Sequence, residues 1–182
     1  TNHAQVYKSR ASEFADTKAS VLGDYVASKL EMEEGEVPLF MTVTVDYRGY
    51  MLFFYQNGKC AKIPLASYMT KQNRRKLLKA YSDKEELAAM LHIEEETELA
   101  VFTSGGTGGP RLILVGSALI PEKATRDTAG INMVTLKKNA RIAKVRPAAG
   151  LELKDPHRYR VRTLPAAGAL LRQEDTTEQM SL

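Results

Sequence analysis

The chain has 182 residues, 43% of them apolar, with a formal net charge of +4 and a pI of about 9.1. That apolar content supports a core and excludes a disordered chain, while so mild a positive balance is by itself only a weak argument for a polyanionic partner. A single cysteine, Cys60, rules out an intrachain disulfide; His3, His92 and His157 are too scattered for zinc-ligand spacing; and no apolar run approaches the ~18 residues of a membrane span.

Strand signals dominate the chain, which predicts an all-β fold. Thr1–Lys8 has neither a signal-peptide nor an initiator context and reads like the inside of a strand, so the chain is expected to be a piece of a longer protein. Val37–Val45 and Tyr50–Tyr55 are rich in β-branched and aromatic residues and are predicted as strands, joined by a turn at Asp46–Gly49. Gln56-Asn57-Gly58-Lys59 is a stronger turn signal, because Asn-Gly supplies the positive φ values of a tight hairpin. Helix is the minority expectation, confined to Asn73–Ala80 and a capped turn at Ser82–Leu87. Leu99–Thr103 and Arg111–Val115 flank the glycine-rich Ser104–Pro110. That segment lacks the Gly-Lys-Ser/Thr ending of a phosphate loop and precedes a strand, so it reads as a hairpin tip. Beyond it, Pro147, Pro156 and Pro165 exclude long regular elements, leaving room for one strand at Tyr159–Thr163 and a frayed acidic tail at Gln173–Leu182.

A repeat runs beneath these elements. Units of 1–45, 46–103 and 104–146 each open on a β-type run with basic residues, pass through a polar middle and close on an apolar segment. Residues 147–182 supply a closing strand and tail. The spacing of roughly 50 residues lies in the range of propeller-like blades.

Charge is segregated along the chain. Lys59 to Lys79 contains seven basic residues and no acidic one: Lys59, Lys62, Lys71, Arg74, Arg75, Lys76 and Lys79. A second basic run holds Lys137, Lys138, Arg141, Lys144 and Arg146, whereas Glu31–Glu36 and Glu94–Glu98 gather the acids. A charge run is ordinarily a solvated face. Two long single-signed runs in successive units instead favour a positive rim that displaces counterions from a nucleic-acid duplex. No catalytic constellation emerges. The glutamate clusters lack calcium-loop spacing. Cys60 is expected to be packed rather than reactive, and His92 to lie on a strand surface. Tyr7, Tyr47, Tyr55 and Tyr68 are expected to pack at strand positions.

Several segments carry a family resemblance. Asn2–Lys8, Lys18–Tyr25, Asn57–Leu65 with Thr70–Leu77, Ala118–Gly130 and Pro165–Gly168 together resemble the C-terminal domain of the A subunits of bacterial DNA gyrase and topoisomerase IV, both type IIA topoisomerases. The resemblance implies a β-pinwheel, a propeller-like disc of four-stranded blades with strands exchanged between neighbours, here partial or open. It implies a non-catalytic domain whose basic perimeter binds and bends or wraps double-stranded DNA, in a cytoplasmic, nucleoid-associated setting with no membrane role. The partners implied are DNA, the rest of the A subunit and the ATP-hydrolysing B subunit. No cofactor is expected in this chain; ATP and Mg belong to the parent complex, and the strand-cleaving tyrosine to another domain. The gyrase signature Gln-Arg-Arg-Gly-Gly-Lys-Gly is absent. The residues expected to touch DNA are Lys71, Arg74, Arg75, Lys76 and Lys79, then Lys8, Arg10, Lys62, Lys123 and Arg126. The rival reading is a propeller-like module that binds an acidic protein.

Overall fold

The computed structural model describes residues 1–70 and 75–176. Ten strands carry the architecture: β1 (Val6–Tyr7), β2 (Tyr50–Tyr55), β3 (Lys59–Pro64), β4 (Lys76–Leu77), β5 (Leu87–Ile93), β6 (Glu98–Gly105), β7 (Arg111–Gly116), β8 (Ile131–Asn132), β9 (Ala140–Pro147) and β10 (Ala169–Leu170). They form two four-stranded antiparallel sheets, β5-β2-β3-β8 and β10-β7-β6-β9, and a two-stranded ribbon, β1-β4. Among the described residues, helix is limited to one α-helical turn at Val26–Lys29 and short 3-10 segments.

The two large sheets repeat one plan. A central hairpin, β2-β3 or β6-β7, receives a strand beside its first member from its own unit, β5 or β9. Beside its second member it receives a short strand from further along the chain, β8 or β10. The exchange is register-matched, with Cys60 facing Ile131 and Leu112 facing Ala169. A 3-10 turn follows each second strand, Leu65–Tyr68 after β3 and Ser117–Leu119 after β7.

Hydrophobic alternation explains the packing. Leu52, Phe54 and Cys60 pack with Leu99, Val101, Ile113, Val115, Ile142 and Val145 in a core shared by the two sheets. The alternate residues Met51, Phe53, Tyr55, Ala61 and Ile63 turn to the other face, against Leu65, Tyr68, Leu77 and Tyr81. Ala100, Phe102, Leu112 and Leu114 likewise cover Tyr159 on the far side of the second sheet. Both faces of β2 are therefore buried, which accounts for its unbroken apolar run.

The exchanged strands need close backbone approach. Gly130, just ahead of β8, has φ +74°, and a Cβ there would lie 1.8 Å from the Cys60 carbonyl oxygen. Gly168 stands in the same relation ahead of β10, at φ +70° and 2.7 Å from Ile113. Gly130→Ala is expected to cost at least about 2–3 kcal/mol, from left-handed strain plus displacement of β8. Chemical denaturation would read this as a lower midpoint at unchanged slope, and a midpoint equal to that of the parent would contradict it.

Several sequence expectations change. The Asn57-Gly58 hairpin and the Ser104–Pro110 hairpin tip are present, and Cys60 is fully buried. Val37–Val45 is not a strand; it runs largely exposed, with no ladder partner among the described residues. The helix expected over Asn73–Ala80 is absent from its described part, 75–80. Lys76–Leu77 pairs with β1 instead, and Lys79 takes φ +54°, which no α-helix accommodates. Ser82–Glu86 makes bends that lead into β5 rather than a capped turn. Tyr159–Thr163 makes only a single parallel bridge, Arg160 to Leu114, because a 3-10 turn at Pro156–Arg158 delivers it edge-on to β7.

Candidate nucleic-acid interface

The described residues of the basic run between Lys59 and Lys79 are paired with carboxylates that are distant in sequence. Lys59 pairs with Glu85 at 3.1 Å, Arg75 with Glu13 at 3.1 Å and Lys79 with Asp127 at 3.7 Å. Lys76 is hydrogen-bonded to Glu33 and stands 5.6 Å from the centre of the Tyr7 ring. The Glu33 contact is the main reason its ammonium pKa is raised. Lys71 and Arg74 lie outside the described residues.

Lys62 leaves the surface altogether, contrary to the expectation that it lines a rim. It is only 2% exposed, bonded to Glu96 and, at 3.3 Å, to the Ser117 carbonyl, with the Tyr50 ring centre 4.2 Å away. Partial burial alone would raise the Glu96 carboxyl. Hydrogen bonds from Lys62 and Ser117 outweigh it and hold the pKa below its ordinary 4.5. A depressed carboxyl stabilises the fold at neutral pH, and that contribution is lost as pH falls through the folded-state value. Glu96→Gln should therefore flatten the acid limb of the stability–pH curve below about pH 4.5; an acid limb identical to that of the parent would contradict this.

The remaining expected residues divide by what they hold. Arg126 spends its guanidinium on main-chain carbonyls of Ser67 (2.8 Å), Lys79 (3.3 Å) and Leu78 (3.4 Å), stacked 5.7 Å from Tyr68. It staples the loop before β8 to the chain around β4. Lys8 is hydrogen-bonded to Thr70. Arg10 is exposed, and Lys123 is half-buried, its main-chain N–H donating to the Lys62 carbonyl at 2.9 Å.

The second basic run is arranged differently. Lys137 and Lys138 are exposed in the turn between β8 and β9, which Asn139 closes at φ +64°. Arg141 is exposed, and Lys144 and Arg146 are half-buried along β9, the outermost strand of its sheet. Among the described residues, no carboxylate comes within ion-pairing distance of Lys137, Lys138, Arg141 or Arg146. From Arg141 to Arg146 the strand covers roughly 17 Å. The same length of duplex axis carries about five phosphates of one strand.

The glycine-rich hairpin tip fixes this turn in place. Gly106 has φ +75°, and a Cβ on it would meet the Lys138 carbonyl at 2.8 Å and the Ala140 side chain at 2.9 Å. The tip and the turn that presents Lys137 and Lys138 are therefore in backbone contact. Along the sequence the first run is the longer of the two. The signal that separates them, the absence of partner acids, exists only in three dimensions. One cluster able to approach a cation, His3, Glu33 and Glu36, is already occupied by the Lys76–Glu33 contact.

No protein-family model matches the chain, and no curated protein matches it. Solved structures do. The C-terminal domain of DNA topoisomerase IV superposes with a TM-score of 0.64 at 16% identity, over 87% of this chain and 53% of that one. The E. coli ParC C-terminal domain gives 0.58 at 13% identity, over 85% of this chain and 68% of that one. The DNA gyrase A C-terminal domain gives 0.52 at 14% identity, over 69% of this chain and 44% of that one. At these identities the likeness is one of fold, and the fold is the all-β pinwheel. The chain spans about half the length of the gyrase A and topoisomerase IV domains it matches.

Proposed function

We propose that this chain is a non-catalytic, duplex-DNA-holding domain of a type IIA topoisomerase A subunit, gripping phosphates along the β8–β9 turn and β9. The observation that carries the reading is the run Lys137, Lys138, Arg141 and Arg146, which has no partner acid among the described residues and sits on a fold shared with the C-terminal domains of such subunits. Charge left uncompensated on a rigid edge attracts a polyanion, whereas charge paired with carboxylates does not. Binding is sequence-tolerant, because these contacts position a backbone rather than read bases. Bending the duplex around further blades costs on the order of 1–6 kcal/mol, offset by added phosphate contacts. Strand cleavage and ATP hydrolysis would belong to other domains and to the B subunit of the parent enzyme.

The test is a mobility-shift titration with mixed-sequence duplex at two salt concentrations, repeated with an acidic polypeptide as competitor. The proposal expects duplex binding that weakens steeply with salt and is indifferent to sequence. Binding of the acidic polypeptide with no duplex binding would favour the protein-module reading instead.

A further inference from the structure

Residues 9–36, the connection that leaves β1 and returns to it, carry seven carboxylates against three cations, in a chain whose net charge is +4. Both ends of the connection are fixed at the β1-β4 ribbon. At the exit, the N–H of Lys8 donates to the Arg75 carbonyl at 2.6 Å. At the return, the buried Glu36 carboxylate accepts from the Tyr7 hydroxyl at 2.7 Å, and the N–H of Asn2 donates to the Val37 carbonyl at 3.0 Å. No residue from 9 to 35 is buried, and none of them belongs to a core cluster. An element with so little buried apolar contact opens locally without unfolding the sheets.

Two carboxylates of this connection are spent on adjacent cations of the ribbon. Glu13 meets Arg75 at 3.1 Å, and Glu33 meets Lys76, whose ladder partner Tyr7 places its ring centre 5.6 Å from the ammonium. Arg75 stays 62% exposed and Glu33 55% exposed. Both are therefore surface ion pairs, screened by salt and open to exchange. A phosphate oxygen offers a guanidinium or ammonium the same charge-assisted acceptor as a carboxylate. An anion can take the place of either glutamate without a buried side chain having to move.

We propose that residues 9–36 make an autoinhibitory contact: Glu13 and Glu33 occupy Arg75 and Lys76 in place of duplex phosphates, so that β4 holds DNA only when this segment is drawn off. The inference rests on the duplex-binding reading above and extends it. β9 is the standing grip, and β4 is a second one that the chain's own acids keep closed. While the pairs are made, Arg75 and Lys76 release no counterions from a duplex, and the carboxylates around them repel it. Removing the two acids opens the second grip and leaves the first untouched.

The test measures affinity for mixed-sequence duplex by fluorescence anisotropy at several salt concentrations. The parent is compared with Glu13→Gln plus Glu33→Gln, with a charge-matched control at two exposed acids, Glu94→Gln plus Glu95→Gln, and with the first pair combined with Arg75→Gln and Lys76→Gln. The first pair is expected to bind about tenfold more tightly at low salt, with the slope of log K against log salt steeper by about 2. The control should gain less than about twofold, and the combined variant should return to within about twofold of the parent. If the first pair loses thermal stability, Glu33→Gln alone is read, with a gain of about threefold that Lys76→Gln abolishes. A gain no larger than the control's, or one that survives the loss of Arg75 and Lys76, overturns the proposal and leaves the β9 grip standing wherever the parent binds duplex. A parent that does not bind, beside a first pair that binds through Arg75 and Lys76, sinks the β9 reading and supports this one. Absence of duplex binding in every form overturns both.

Discussion

Replacing Lys137, Lys138, Arg141 and Arg146 together with glutamine is expected to weaken duplex binding by about a hundredfold or more at low salt. The slope of log K against log salt should fall by about 3–4. Each of the four removes one candidate phosphate contact without leaving a buried partner behind, since no ion pair is broken among the described residues. The contrasting pair Arg75→Gln and Lys79→Gln removes two charges already neutralised by Glu13 and Asp127. It should change affinity by less than about threefold, with a slope change below 1. The comparison is made by fluorescence anisotropy at several salt concentrations on variants of equal thermal stability. A larger loss from the Arg75 and Lys79 pair than from the four would place the grip on the other run.

The second large effect concerns stability. Glu96→Ala leaves the Lys62 ammonium 98% enclosed without its counter-charge, and is expected to destabilise the fold by about 2–4 kcal/mol. The value sits below that for a fully buried pair, because Glu96 is itself 40% exposed and water screens part of the attraction. For a chain of this size the loss corresponds to a Tm lower by roughly 5–15 °C. Lys62→Met should cost much less, about 1 kcal/mol, because the apolar side chain keeps the packing under Tyr50 and Glu96 can rehydrate. Duplex affinity should be unchanged in both variants. Equal Tm losses for the two, or a DNA-binding defect in folded Lys62→Met, would contradict the structural role assigned to this lysine.

The contrast between Lys62 and Lys137 shows how far the sequence alone carries. Local signals were legible where local chemistry decides. Asn57-Gly58 makes the β2–β3 hairpin because Gly58 takes φ +91°, and the apolar runs of β2, β6 and β7 become central strands buried on both faces. Partners decided by tertiary contact were not legible. The acids that silence the first basic run, Glu13, Glu33, Glu85, Glu96 and Asp127, lie on different loops and strands, so a charge count along the chain overestimates that face. The helix expected at Asn73–Ala80 is absent from its described part, 75–80, for the same reason. Good helix formers at Lys76–Leu77 are captured by β1, and tertiary pairing overrides weak propensity. The strand expected at Val37–Val45 has the right composition, yet a strand exists only as part of a ladder, and among the described residues no strand pairs with it.

The resemblance seen in scattered segments and the superposition agree on the pinwheel. The pinwheel alone does not supply a binding face, since function resides in a site carried by a fold. The site proposed here is an edge strand and a turn in backbone contact with Gly106, whose Lys137, Lys138, Arg141 and Arg146 have no partner acid among the described residues.

If DNA is held at the β8–β9 turn and along β9, as proposed, lysine-modification footprinting will reveal it. The protein is treated with an amine-reactive acylating reagent with and without saturating duplex, and each lysine is scored by peptide mass. Duplex is expected to shield Lys137 and Lys138 several-fold, while Lys76 and Lys79 react equally in both samples. Shielding of Lys76 and Lys79, with Lys137 and Lys138 reacting as in the free protein, would contradict it.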